Sequence, residues 1–91
     1  MERFVSLMTI ASTIEEMTNR FVKEPIAITF ERVSPRALEE DKTLRQRFNV
    51  VDGDEYFFIS KGTSLLYVVD VTADSYLTAA HELMELIARK F

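Results

Sequence analysis

The stretch Asp52-Gly53-Asp54-Glu55-Tyr56-Phe57-Phe58-Ile59-Ser60-Lys61-Gly62-Thr63-Ser64-Leu65-Leu66-Tyr67-Val68-Val69-Asp70-Val71 decides the fold. Two runs rich in strand-forming residues, 56–60 and 65–71, flank Lys61-Gly62, and Asp52-Gly53 supplies the residues of a second tight turn upstream. Aromatic and β-branched side chains suit a pleated, half-buried backbone, and Asp-Gly pairs suit hairpin turns. Phe48 to Val51 is a further short apolar run before Asp52-Gly53. The three runs together predict an antiparallel meander. In 65–71, Leu65, Tyr67, Val69 and Val71 alternate with Leu66 and Val68, which predicts a central strand covered on both faces, with Asp70 reaching water near its end.

Downstream of the meander, Asp74 stands where an N-cap is wanted and the last helix is expected over about 75–90. Its apolar residues Tyr76, Leu77, Ala80, Leu83, Met84, Ile87 and Phe91 fall within an arc of roughly 120°, and Glu85 precedes Arg89 by one turn for a surface pair. Upstream, Ser34-Pro35 reads as an N-cap with proline at the first helical position, opening a helix over about 35–47. That helix has only Ala37, Leu38 and Leu44 to bury, which predicts a peripheral position. Ile26, Ile28 and Phe30 alternate with Ala27, Thr29 and Glu31, the pattern of a strand with one buried face. Before Pro25, the residues Phe4, Leu7, Ile10, Ala11, Ile14, Met17, Phe21 and Val22 recur over an arc of roughly 140°, as a core-facing helix requires. Val5 and Met8 lie outside that arc.

The fold class expected is therefore α+β, ordered helix, strand, helix, three-strand antiparallel meander, helix, with two amphipathic helices on one face of one sheet. A single domain over residues 1–91 accounts for the whole chain. The 47% apolar and 29% charged residues are those of a folding globular chain rather than a disordered one. There is no cysteine, which removes disulfides, thiolate nucleophiles and Cys-ligated zinc, and fits a reducing compartment; the cytoplasm is the expected location. Polar residues interrupt residues 1–22 as they do not interrupt a secretory leader, and no apolar run approaches the roughly 20 residues of a membrane span. The formal net charge of −4 repels phosphate backbones and anionic lipid. The basic residues Arg32, Arg36, Lys42, Arg45 and Arg47 are interspersed with Glu31, Glu39, Glu40 and Asp41, the composition of a solvated helix face. Neither nucleic acid nor a membrane is an expected partner.

Chemistry-bearing residues are few. His81, the only histidine, lies in His81-Glu82-Leu83-Met84-Glu85, which has the glutamate of a zincin helix and lacks its second histidine. His81 and Glu85 are expected on a solvent-facing helix surface. Asp52, Asp54 and Glu55 crowd one turn, but an EF-hand spreads its ligands over a twelve-residue loop; a solubilising turn is expected. Two glycines, Gly53 and Gly62, cannot write a phosphate-binding loop. Asp70 and Asp74 are formally a carboxylate pair, but a strand end beside a helix cap is the expected account of them. No catalytic residue, cofactor site or metal site is assigned, and no enzyme activity is expected.

Apolar surface is what remains. If the two amphipathic helices cover one sheet face, Ala27, Tyr56, Phe58, Leu66 and Val68 are left to the weakly apolar second helix or to another chain, and uncovered apolar patches tend to become interfaces. The function expected is a non-catalytic protein-interaction or regulatory domain, acting as a homodimer or through a partner on one sheet face. Two alternatives stand beside it. One is a ligand-binding or catalytic pocket lined by Tyr56, Tyr67 or Tyr76 with Asp70 and His81. The other is an acidic inhibitor or immunity-type protein presenting Asp52, Asp54 and Glu55.

Phe48-Asn49-Val50-Val51 after a helix, Asp54-Glu55-Tyr56-Phe57-Phe58-Ile59, Leu65-Leu66-Tyr67-Val68-Val69, and a terminal helix with Tyr76-Leu77 and His81-Glu82-Leu83 follow one another in the chain. In this order residues 48–91 resemble the C-terminal half of Roadblock-type domains, relatives of the profilin and longin folds. Such domains usually place a two-stranded hairpin after the first helix, where residues 26–33 offer one strand. The resemblance implies a non-catalytic homodimer that regulates or scaffolds a partner, commonly a small GTPase or motor assembly, and transfers no individual site residue.

Overall fold

The computed structural model describes residues 2–71 and 75–91. Seven elements follow in order: α1 (Glu2–Thr18), β1 (Ala27–Arg32), α2 (Pro35–Glu40), α3 (Lys42–Gln46), β2 (Glu55–Lys61), β3 (Ser64–Asp70) and α4 (Tyr76–Lys90). The fold is α+β, with a three-stranded antiparallel meander in the order β1-β2-β3. Ile28 lies opposite Ile59 and Phe30 opposite Phe57, and on the other side Phe57 lies opposite Val69. The β2–β3 connection is the two-residue turn Gly62-Thr63, in which Gly62 adopts φ 60°, a left-handed conformation that suits glycine.

The meander is built from other strands than the sequence suggests. Residues 48–51 form no strand, β1 takes the place beside β2, and β3 is an edge rather than a central strand. An apolar run as short as 48–51 does not distinguish a strand from a buried connection. Here Phe48 and Val50 drop onto the sheet as irregular chain instead, with the Val50 N–H donated to the Leu44 carbonyl at 2.9 Å. The alternation along β3 is also broken. Ile59 faces Tyr67 while Ser60 faces Leu65, so Leu66 is the extra residue of a bulge. Leu65 therefore packs with Val68 on one side, while Tyr67 and Val69 pack on the other.

Two cores result, one on each sheet face. The larger joins Leu7, Ala11 and Ile14 of α1, Ala79 and Leu83 of α4, and Ile28, Phe30, Phe57 and Ile59 of the sheet. Both amphipathic helices lie on this face, as expected. Asn19 ties the end of α1 to the sheet: its side chain donates to the Ile26 carbonyl and accepts from the Ile26 N–H, both at 2.9 Å. The Glu15 carboxylate accepts the Ile28 N–H at 3.3 Å. The smaller core joins Val33, Leu38, Val50, Tyr56 and Phe58, with Leu44, Phe48, Leu65 and Val68 packed around it.

The segment expected as one helix over 35–47 is two. Ser34 caps α2, accepting the Ala37 N–H at 3.2 Å with Pro35 behind it. Asp41 breaks the run with extended backbone (φ −133°, ψ 99°) and caps α3 by accepting the Thr43 N–H at 3.0 Å. An aspartate that serves as a cap competes with continuation of its own helix. For α4 the cap is Ser75, which accepts the Thr78 N–H at 3.1 Å; Asp74, the cap expected from the sequence, lies outside the described residues.

Candidate interaction surface

Of the five residues expected at an interface, two are inside the protein. Tyr56 and Phe58 belong to the smaller core, their rings 6.0 Å apart and tilted. The Tyr56 hydroxyl accepts the Val51 N–H at 2.9 Å, which pins the 48–54 connection over the sheet. Burial pushes the Tyr56 phenol above its ordinary range; the Val51 hydrogen bond opposes this, and the Asp70 and Asp54 carboxylates add to it. Ala27, Leu66 and Val68 are half-buried. Leu38, Leu44, Phe48 and Val50 together cover the β2 side of this face, so the five candidates do not form one open patch. The second helix alone is poor in apolar residues, and the irregular 48–51 run makes up the deficit.

The chemistry-bearing residues do not converge. His81 is exposed, with Nε2 3.7 Å from Glu85 one turn away. Glu55 is held between Arg3 and Arg32, the latter at 3.3 Å, and so offers little free negative charge beside Asp52 and Asp54. Tyr56 lies in the smaller core, Tyr67 packs against the larger one with the Phe91 ring edge-on at 5.9 Å, and Tyr76 is exposed. Partial desolvation raises the Asp70 carboxyl above its usual range, with Asp54 and Glu82 adding repulsion. Among the described residues no group of three His, Cys, Asp or Glu side chains is placed to hold a metal ion.

Most of the open apolar surface lies on α1, α4 and the residues just beyond their C-terminal ends. α1 ends at Thr18, a turn short of the helix expected from the sequence, because Asn19 turns the chain toward Ile26. Phe21 consequently projects, 87% exposed, and Met17 is 48% exposed. Leu77 and Met84 of α4 and its C-cap Phe91 are 82%, 51% and 43% exposed. The C-terminal parts of the two helices run side by side and leave an open groove of about 280 Å³ lined by Ile14, Met17, Phe21, Met84, Ile87 and Phe91, among others. All of these residues are assigned to the core by helical periodicity, which shows where an apolar arc lies but not how much of it neighbours cover. Leu77, Met84 and Phe91 recur at every seventh residue. At roughly 100° per residue that spacing sets the three within about 40° of one another, and it was the signal in the sequence for an open stripe.

Comparison with protein-family models, with curated proteins and with solved structures gives no match for this chain. Among the described residues no helix is long and apolar enough to cross a membrane.

Proposed function

We propose that this chain is a non-catalytic protein-interaction domain that docks another polypeptide, a second copy of itself included, through the apolar flank shared by α1 and α4. The observation that carries the reading is the open groove with Phe21 and Met84 on its walls. Exposed apolar seams of this kind are maintained where another chain covers them. Methionine and phenylalanine suit such a surface because their large, adaptable side chains fill irregular gaps. The Roadblock-like order of elements over residues 48–91, less the strand expected at 48–51, supports a domain that regulates or scaffolds a partner. The absence of cysteine supports a cytoplasmic setting.

The test is a fluorescein-labelled amphipathic helix of three heptads, with leucine at its a and d positions, titrated against the protein. Binding with a dissociation constant on the order of 10⁻⁵ M, weakened at least about tenfold by Met84→Glu, is expected. Absence of binding up to about 10⁻³ M would remove the reading.

A further inference from the structure

Resting on the interaction reading, we infer that the occupant of the α1/α4 flank is a second copy of this chain, related by a two-fold axis that passes beside Met84. The argument starts from the arrangement of the exposed residues. Leu77 and Phe91 lie seven residues to either side of Met84, so the stripe on α4 is symmetric about that methionine. An antiparallel α4–α4 contact sets Met84 against its own copy and Leu77 against Phe91 of the other chain. In such an isologous contact, whatever residue i does to residue j, j does in return.

Phe21 completes the pattern. It lies on the groove with Phe91, at the C-terminal end of α4, whereas Leu77 lies at the N-terminal end. Phe21 and Leu77 are the two most exposed large apolar residues described, and Leu77, two turns before Met84, continues the α4 side of the groove toward the other end of the helix. The two-fold brings each Phe21 beside the Leu77 of the other copy, and both are covered twice over.

Area and charge agree with this occupant. At ~200 Å² per large side chain, the exposed parts of Met17, Phe21, Leu77, Met84 and Phe91 amount to on the order of 600 Å² of apolar surface. A standard stable interface takes about 800 Å² from each partner, a difference that rim contacts supply. The groove is lined by no charged side chain, and on its α1 border Glu16 is paired with Arg20 at 3.6 Å. A strongly acidic or basic partner would be met by a border of one sign. Two copies of a chain with net charge −4 can meet at this groove without burying a carboxylate, because none lines it.

The absence of native cysteine makes the geometry directly readable. A cysteine placed on a two-fold axis meets its own copy, and a disulfide requires Cα atoms within about 7 Å. Met84→Cys should therefore convert to a covalent dimer under mild oxidation at least about tenfold faster than Met8→Cys or Val51→Cys, which lie on other surfaces. Sedimentation velocity of the unmodified chain should show a reversible dimer dissociating in the micromolar range, on the order of 10⁻⁶ to 10⁻⁵ M. A chain that stays monomeric up to about 10⁻³ M overturns the inference, as does a dimer in which Met84→Cys crosslinks no faster than the two controls. The second result would point instead to pairing through the β3 edge. A monomer that still binds the amphipathic helix in the titration above leaves the interaction reading standing without the dimer, so the two failures are separable.

Discussion

Phe57→Ala should lower the free energy of unfolding by about 3–5 kcal/mol. Phe57 lies on the central strand, is fully buried, and sits between Phe30 on β1 and Val69 on β3. Its ring is 5.5 Å from that of Phe30, which in turn meets the tilted ring of Phe4 of α1 at 5.0 Å. Truncation removes the side chain on which helix and sheet converge and leaves a cavity that a packed sheet cannot close. Small domains hold only about 5–15 kcal/mol in all, so a large part of the stability goes with this one ring. Urea unfolding followed by circular dichroism measures the effect, with Phe57→Leu, which keeps most of the apolar volume, as a control expected to cost about half as much or less. A loss below about 1 kcal/mol for Phe57→Ala would mean that the larger core does not centre on β2.

Tyr56→Ala should cost a similar amount, about 3–5 kcal/mol, and Tyr56→Phe only about 1 kcal/mol. The alanine removes a ring from the smaller core and releases the 48–54 connection; the phenylalanine keeps the ring and loses only the acceptor for the Val51 N–H. The pair of variants separates two uses of the same sheet face. If Leu38, Phe48 and Val50 cover that face within the chain, both costs appear in unfolding of the monomer. Were Tyr56 an interface residue, Tyr56→Ala would leave monomer stability within about 0.5 kcal/mol of the parent and change only association.

Much of the architecture was legible in the sequence. The Gly62 turn between two strand-forming runs, the Ser34-Pro35 helix start and the helical arcs at both ends are local signals, and local signals act whatever the rest of the chain does. What escaped depended on long-range choices. The bulge at Leu66 costs one residue and reverses the direction of Leu65, so strict alternation placed that side chain on the wrong face. The 48–51 run was apolar enough for a strand, and β1 won the place beside β2. Which apolar residues are open differs from expectation for a related reason. Tyr56 and Phe58 looked uncovered because the second helix is poor in apolar residues, yet the irregular run beside it covers them. Met17, Phe21, Leu77, Met84 and Phe91 looked covered because they share an arc with true core residues such as Ile14 and Leu83. Only the seven-residue spacing groups three of them, Leu77, Met84 and Phe91, on one stripe.

Peroxide oxidation of methionines, read by mass spectrometry at low and high protein concentration, tests the two-copy seam most directly. Met8, Met17 and Met84 are 46%, 48% and 51% exposed in the single chain, so in dilute solution the three should oxidise at similar rates. Met8 lies about 180° around α1 from Met17, at roughly 100° per residue, and so stays outside the seam. At high concentration Met17 and Met84 should become protected by at least about fivefold while Met8 keeps its rate. Equal rates for all three at every concentration would contradict a dimer built on α1 and α4.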